Sequence, residues 1–579
     1  MVLDFVPGAL GRRLAENVPG AANAIPHKTD IPTTQAIGRT GKDTRMDRHT
    51  GDALADIITQ IKRLSGELDS WATTLSLNPS ASPSDYVPDL KVVQERLKSG
   101  MGRSSDVVLR RLIVPSCPGG VLVASVDGIT DTTVVDEDVI KPLLTTTVAP
   151  DQWDQAAVFA MDITQADRWP DIAQSLAAGK TIICVESLAH AWIVDTAKFP
   201  QRSVERPQTE LGVRGPEEAF NEVLGTQKAQ IRHRLPSPDL VFKDFTVGRI
   251  QQTKLSLAYL DGLTNPALIT TVVERLRAIN VDGLAGITQV AGLIRDHPRS
   301  IFPTVRQTER VEMAVWRLMQ GAVVVLMDGD PFVLIAPAPL IDFYRTAMDY
   351  SSSWIDTTLV RGIRFFGWVV GIYLPALFVA LTEVNPSVLP SELLSSVQGS
   401  AIGLPFPEVI QVILMILVIE TLREASLRLP KPLSTTIGTI GAIVVGTAIV
   451  KAGLVDTQII VIMTLTALSL FATPVYELTS TWRIVGFLML GAAYFFGLVG
   501  ITLVTMGVIA VLVDMRSFGS PYFEPWAPFR AIDWGDAIWR LPWTLLTERW
   551  SAPRPLHPRW RRPETVSTHP RLKRGRMGS

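Results

Sequence analysis

Two carboxylates stand inside one of the most apolar runs of the chain, LPFPEVIQVILMILVIETLREASLRLPKP (404–432): Glu408 and Glu420. On a helix twelve residues make about three and a third turns, so the two side chains project within about 120° of each other. A carboxylate in lipid costs roughly 2.5–3.5 kcal/mol on insertion scales, so such groups ordinarily face a bundle interior or water. The chemistry open to them is electrostatic: lining a cation path, or coupling to a partner subunit. Arg423 and Glu424 follow Glu420 where the run meets a basic, proline-closed turn, and Lys451 interrupts the next apolar run. Glu408, Glu420, Arg423, Glu424 and Lys451 are therefore the candidates for permeation or gating. A plainer assignment competes, with Glu420 an interfacial anchor beside Arg423 and Glu408 a helix-end residue beside the Pro405/Pro407 bend.

Bond-making chemistry finds no support. The seven histidines are scattered without the spacing of a metal site. GRTGKD (38–43) has the wrong glycine spacing for a phosphate loop, and no G-x-S-x-G stands between a strand and a helix. No catalytic residue, cofactor or metal is expected, and the chain reads as a non-enzyme. A net charge of −1 excludes recruitment of nucleic acid by a global field. The two cysteines, Cys117 and Cys184, lie in strand-like runs and read as buried thiols of a reducing compartment. Arg232 and Arg234 in IRHRL could meet acids or lipid phosphates, an intramolecular cluster being favoured.

The elements that must position the membrane charges follow from composition. Charged residues crowd positions 1–364 and the C-terminal tail, whereas 365–513 is overwhelmingly apolar. Spans of about 20 residues fit Phe365–Val384, Leu404–Leu422, Ile437–Val455 (if Lys451 snorkels) and Thr457–Pro474. The uncharged Ile484–Val513 is too long for one upright helix and short for two. Arg361 and Arg364 precede the first span, the 385–401 loop has no Lys or Arg, and 423–434 is basic. The positive-inside rule then puts the N-terminal region and 423–434 in the cytoplasm and 385–401 outside. The basic tail asks for an even number of crossings, which a break near Gly497 and Gly500 would supply; one long tilted helix is the alternative.

Before the membrane part, the pattern is α/β. No signal peptide is read at the start, and residues 1–50 read as a disordered tail. Residues 51–84 form an amphipathic helix and linker, Leu54 to Leu75 having heptad spacing. A first α/β subdomain (85–205) carries the strand-like runs DVVLRRLIV, GVLVASVD, TIICVES and AWIVD, with Thr130 or Asp131 capping a helix after DGITD. A second (206–345) opens with a helix at VRGPEEAF, with Gly215 as cap and Pro216 in its first turn. It continues with LVFKDFTVG, RIQQTKLSLAYLDG and a helix from Asn265, and closes with a hairpin turning at Asp328 and Gly329. The transmembrane helical domain (346–516) and a polar, basic tail (517–579) complete the chain. The fold class is an α/β cytoplasmic region of two subdomains followed by an α-helical transmembrane bundle.

The motifs DGITD (127–131), VRGPEEAF (213–220), IRHRL (231–235), DGDPFVLIAP (328–337), LPSELL (389–394), LPFPEV (404–409), LREASLRLPKP (422–432) and SFGSPY (517–522) occur in one order. As a set they resemble the GerA family of spore germination proteins, the A subunits of germinant receptors and their SpoVAF-type paralogues. The departures are His233, where the family commonly has arginine, and Gln411, Ile416 and Glu408 in the LPFPEV helix. The resemblance implies a multi-pass protein of the spore inner membrane, partnered by a transporter-like B subunit and a lipoprotein C subunit. The complex would answer small nutrients with cation release, and the chain would be a homo-oligomer in contact with lipid that forms the channel. The alternatives are a SpoVAF-type amplifier of germination without direct germinant binding, or a secondary transporter.

Overall fold

The computed structural model describes residues 85–560, apart from 154–157, 159–161, 187, 200–205, 211, 213 and 429–447. The expectations for the N-terminal tail, the heptad-spaced helix, most of the 437–455 run, the proline-closed end of the basic turn and the last nineteen residues of the tail lie outside the described residues.

The β-rich runs form strands. β1 (Val107–Val114) and β2 (Cys117–Val126) pair as a hairpin, and β3 (Ile163–Ala166) pairs with β5 (Ala191–Val194), which also pairs with β4 (Thr181–Val185). The sheet order is β1-β2-β4-β5-β3, antiparallel throughout. The second sheet contains β6 (Leu240–Val247), β7 (Thr253–Leu260), β8 (Arg306–Thr308), β9 (Val323–Met327) and β10 (Val333–Ala336), in the order β6-β7-β9-β10-β8, again antiparallel. β9 and β10 are the hairpin about Asp328 and Gly329.

The two sheets are one construction used twice. α1 (Leu90–Ser99) precedes the first hairpin and α2 (Trp169–Ala177) lies between β3 and β4; α3 (Leu224–Arg234) precedes the second hairpin. α4 (Pro266–Ala278) and α5 (Ile287–Ile294) then lead to β8, and α6 (Val311–Met319) joins β8 to β9. The repeat extends to single residues. DGITD after β2 is matched by DGLTN (261–265) after β7. Gly128 and Gly262 take φ of 83° and 73°, a region glycine enters without a Cβ penalty. Thr130 and Thr264 hydroxyls each accept the N–H of the last strand residue, Val126 and Leu260, at 3.3 Å. Asp131 and Asn265 each cap the helix that follows, accepting from Thr133 and Ala267.

Alternation puts Leu122, Ala124, Ile182 and Cys184 on one face of the first sheet with α1 and α2, and Val121, Val123, Ile183 and Val185 on the other with Val139, Leu143 and Trp153. The two halves meet at a buried ion pair. Arg232 of α3 binds Asp106 at 2.8 Å, with side chains 0% and 3% exposed, and Arg234 binds Glu218 at 2.5 Å. Both arginines of IRHRL are thus intramolecular.

The helix expected from Gly215 does not form; α3 begins at Leu224. The backbone of that stretch is engaged elsewhere. Arg310 donates to the Pro216 carbonyl (2.6 Å), Phe220 N–H donates to the Glu309 carbonyl (2.8 Å), and Gln230 donates to the Ala219 carbonyl (2.8 Å). Tertiary pairing outcompetes a favourable local start signal.

Among the described residues there follow the apolar or amphipathic helices α7 (Trp354–Val379), α8 (Ser391–Ala401), α9 (Glu408–Arg428), α10 (Thr457–Phe471) and α11 (Tyr476–Asp514). Among the described residues two helical stretches, Trp354–Val384 and Tyr476–Asp514, are long and apolar enough to cross a membrane. α7 packs on α10 and α11, and α9 on α10. α11 is broken at Gly497 (φ 58°, ψ −138°). Beyond the break the chain doubles back: a methyl on Gly500 would collide with the Ala492 carbonyl, whereas eight residues of straight helix separate such atoms by about 12 Å. The arms are roughly 30 and 25 Å long, and the turn is clamped by Asn385, whose Oδ1 accepts Leu498 N–H at 3.0 Å. Both ends return to one loop. The Trp482 ring lies 5.5 Å from that of Phe302, and Ser300 Oγ lies 3.5 Å from Met515 Sδ.

The segment expected as a polar tail is, up to Trp560, folded against the rest. Tyr522, Trp550 and Ala552 join Leu340, Phe343, Ile372 and Trp482 in one core, and Ser517 Oγ bridges the Thr304 carbonyl and Ala338 N–H at 2.6 and 3.0 Å. Its aromatic residues supply apolar area that the average polarity of the stretch conceals.

Removing one partner of a buried pair strands the other charge, at a cost of about 3–5 kcal/mol. Asp106→Asn is expected to loosen the two sheets and lower the melting temperature of the detergent-solubilised chain by several degrees. Lys180→Ala, which breaks the exposed Lys180–Asp195 pair, should leave it unchanged.

Candidate functional site

Where the α/β region meets α7, arginines and aspartates interlock out of water. Arg361, on the second turn of α7, donates from Nε to Asp349 Oδ2 (2.9 Å) and from Nη1 to Asp536 Oδ1 and to the Asp536 and Ala537 carbonyls (each 2.9 Å). Arg364 donates to both Asp349 oxygens, at 2.9 and 3.0 Å, and to the Tyr344 carbonyl. Asp342 binds Arg317 and, at 3.5 Å, Arg345; Arg345 also donates to the Asp536 carbonyl, and Tyr350 OH donates to Asp536 Oδ2 at 3.0 Å. The side chains of Arg361 and Asp349 are each 3% exposed. Burial pushes the Asp349 carboxyl up, and Arg364 and Arg361 outweigh it, holding it down to about 2. For Asp536 too, burial is outweighed by Arg345 and Arg361, and the carboxyl lies below its ordinary range. The cluster joins the end of the second sheet, the foot of α7 and the C-terminal segment.

The second locus lies among the apolar helices. Glu420 ion-pairs with Arg423 on its own helix and, across to α11, with Arg483 Nη1 at 2.7 Å; Arg483 Nη2 donates to Ser480 Oγ at 2.9 Å. The pair borders a cavity of about 60 Å³ walled by all four long helices, including Gly371 and Pro375 of α7, Ile416 of α9, Met463 of α10 and Trp482 of α11.

Of the sequence candidates, the structure joins Glu420 and Arg423 in an ion pair. Glu408 opens α9, about 18 Å along the axis from Glu420. There Glu383 Oε1 accepts Val409 N–H at 2.8 Å, and Asp456, capping α10, accepts from Ser400 Oγ at 2.7 Å. Glu424 is exposed one residue beyond Arg423, and Lys451 is exposed at the end of a short helix before Asp456. Sequence reasoning missed Arg483, the partner of Glu420. Its signal was present: it is the one basic residue in 476–514. Asp349 and Asp536 were missed as well, since nothing local separates them from surface acids.

This architecture defines a class, a membrane-associated protein with a duplicated antiparallel α/β region locked onto long apolar helices. The chain belongs to the GerA family: the family model described as Bacillus/Clostridium GerA spore germination protein matches residues 95–552. Spore germination protein GerLA of Bacillus cereus is 32% identical over 466 residues, covering 79% of this chain and 94% of that one. Spore germination protein B1 of Bacillus subtilis (strain 168) is 32% identical over 465 residues, covering 80% and 96%. The solved N-terminal domain of the A subunit of the Bacillus megaterium spore germinant receptor GerK3 matches with a TM-score of 0.34 and 24% identity, covering 45% of this chain and 98% of that one. The chain is a spore germination protein.

The depressed Asp349 carboxyl sets an acid limit. Its folded value lies below the unfolded one, so its contribution is complete above about pH 4 and disappears as pH falls through about 2. The shift corresponds to about 2 kcal/mol. Asp349→Asn should melt at lower temperature than the parent at pH 6, and the gap should narrow between pH 4 and pH 2.

Proposed function

We propose that the chain is the A-type subunit of a nutrient germinant receptor in the spore inner membrane. In this reading it acts with a transporter-like B-type and a lipoprotein C-type subunit, and its apolar helices form, in a homo-oligomer, the element through which cations leave. Small nutrients are recognised by the complex as a whole. The observation that carries the reading is the Glu420–Arg483 ion pair. It joins α9 to α11 beside a cavity bordered by α7, α9, α10 and α11, so rearranging these helices must remake it. Glu420 is then a transmission or permeation residue, and Glu408 with Glu383 and Asp456 forms an acidic far end that favours cations. Arg423, Glu424 and Lys451 hold helix ends at the cytoplasmic and far interfaces.

Membrane orientation belongs to the same proposal. Arg361 and Arg364 at the foot of α7, and the absence of Lys and Arg from 385–401, support a cytoplasmic α/β region with 385–401 on the far side. The reversal at Gly497 supports an even number of crossings and a C-terminal segment on the same side as the sheets.

Cysteines introduced at Ser396 and Ser426, with Cys117 and Cys184 replaced, test the orientation with a membrane-impermeant thiol reagent. Position 396 should label in sealed right-side-out cells and 426 only after permeabilisation; the reverse pattern inverts the topology.

Glu420→Gln keeps size and hydrogen bonding while removing the charge. Spores carrying it should contain normal amounts of the protein and release cations roughly several-fold more slowly after nutrient addition, since Arg483 loses its partly buried carboxylate partner. Unchanged release at equal protein level would make Glu420 an anchor of the helix end and nothing more.

A further inference from the structure

The C-terminal segment buries one side and leaves the other uncovered. Phe529, Ile532, Trp539 and Leu545 are 70%, 62%, 60% and 63% exposed, an apolar display that soluble surfaces seldom carry without a partner. The local fold holds it in place. A short helix, Ala531–Trp534, presents Ile532, and Leu541 N–H donates to the Gly535 carbonyl at 2.8 Å, closing a loop around Trp539. Arg540 turns the opposite way. It is 2% exposed, and its guanidinium lies 5.0 Å from the Tyr350 ring and 4.7 Å from the Trp543 ring.

Arg540 also fixes where the display sits. Its N–H donates to Thr358 Oγ1 of α7 at 3.1 Å. Trp354 and Ile355 lie one turn earlier on the same side of α7 and are 47% and 60% exposed. The apolar surface therefore continues from the C-terminal segment onto the first turn of a helix long enough to cross a membrane. Tryptophan and phenylalanine at that level are the side chains that favour the lipid–water boundary. The charge of the chain agrees. The sequence after Trp560, RRPETVSTHPRLKRGRMGS, holds six Lys or Arg and one acid, a balance that attracts anionic headgroups.

We propose that residues 529–545 are a membrane-docking surface, with Phe529, Ile532, Trp539 and Leu545 seated in the headgroup–acyl boundary of an anionic leaflet beside the foot of α7. The segment then acts as a brace. Through Asp536 and Arg361 it holds the foot of α7, and through its apolar side it fixes the α/β region at a set height over the lipid. This inference rests on α7 entering the membrane, and its test separates the two.

Cys117 and Cys184 are buried, so a single introduced cysteine takes a nitroxide label in the otherwise unchanged full-length chain. Trp539→Cys and Leu545→Cys are reconstituted in phosphatidylcholine vesicles containing phosphatidylglycerol. Phe366→Cys, on the exposed side of α7, and Ile113→Cys, on β1 of the first sheet, serve as references at 69% and 81% exposure. Labels at 539 and 545 should lose collisions with a water-soluble nickel chelate and gain collisions with oxygen, as at 366, while 113 shows the reverse. If 539 and 545 behave like 113 while 366 is lipid-exposed, the docking surface is refuted and the membrane helix stands. If 366 is also open to nickel, the membrane reading of α7 fails first. Dipolar broadening at 539 that disappears on dilution with unlabelled chain would assign the surface to a second copy and overturn the proposal.

Discussion

Arg361 ties the foot of α7 to the turn that precedes it and to a C-terminal segment 175 residues away. Its guanidinium lies in the first apolar helix, and its carboxylate partners come from the short helix Met348–Ser351 and from the C-terminal segment. A charge that is 3% exposed does not exchange partners cheaply, because an unpaired ion there bears a desolvation penalty of several kcal/mol. The pairs contribute less to net stability than to uniqueness: they define one angle and one height at which α7 can leave the sheets. The surrounding core obeys that geometry. Tyr344 meets Trp368 edge-on at 5.9 Å, and Trp368 lies tilted against Trp482 of α11 at 4.8 Å, carrying the packing on from the charges into the helices.

Duplication explains why the second half could take on this task. In the first half the residues that follow α2 are held by Ser175, whose carbonyl accepts Lys180 N–H; in the second half the same bond runs from Ala322 to Arg317. Gln174, an exposed residue bonded to Pro236, therefore corresponds to Trp316, which belongs to an aromatic group with Trp543 and Trp560. Half-exposed Ser175 corresponds to Arg317, 3% exposed and bound to Asp342. At this place the second half carries a buried arginine and a tryptophan, which bind Asp342 and the C-terminal aromatic residues. The first half has polar residues, Gln174 and Ser175, at those places and packs on its twin through Asp106 and Arg232 instead.

Much of the fold was legible in the sequence because strand and helix periods are local. β1, β2, β4, β5, the β9–β10 hairpin and the helix capped by Asn265 all stand out as runs of the right type between turn residues. β3 did not, since four residues reading ITQA carry no alternation worth the name. The false helix at Gly215 failed because Arg310, almost a hundred residues away, takes the Pro216 carbonyl and Gln230 takes that of Ala219. The repeat itself was readable, in DGITD against DGLTN, but only by comparing the chain with itself. At the site, Glu420 was legible as a charge in an apolar run. Arg483 stood out as the one basic residue of its run, but its pairing with Glu420 did not, because pairing across helices is a matter of rotation and register that spacing within one helix does not encode. The break at Gly497 is the intermediate case: parity of charge asked for it, and a glycine at positive φ supplies it.

The two charge clusters are physically linked, and the link has a direction. Trp482 packs against Phe302 in the loop that ends the α4–α5 region, and its neighbour in sequence, Arg483, reaches Glu420. A displacement of that loop therefore acts on α11 at the residue adjacent to its only cation. Because Glu420 and Arg483 are 29% and 21% exposed, their pair is neither dry enough to be permanent nor wet enough to be negligible. A buried pair such as Arg361–Asp349 suits a joint that must not move. A half-screened pair beside a cavity suits one that has two arrangements, since water can take over each charge as the helices part. The two pairs stand apart along α7: the cavity beside Glu420 and Arg483 meets that helix at Gly371, about two turns beyond Arg364.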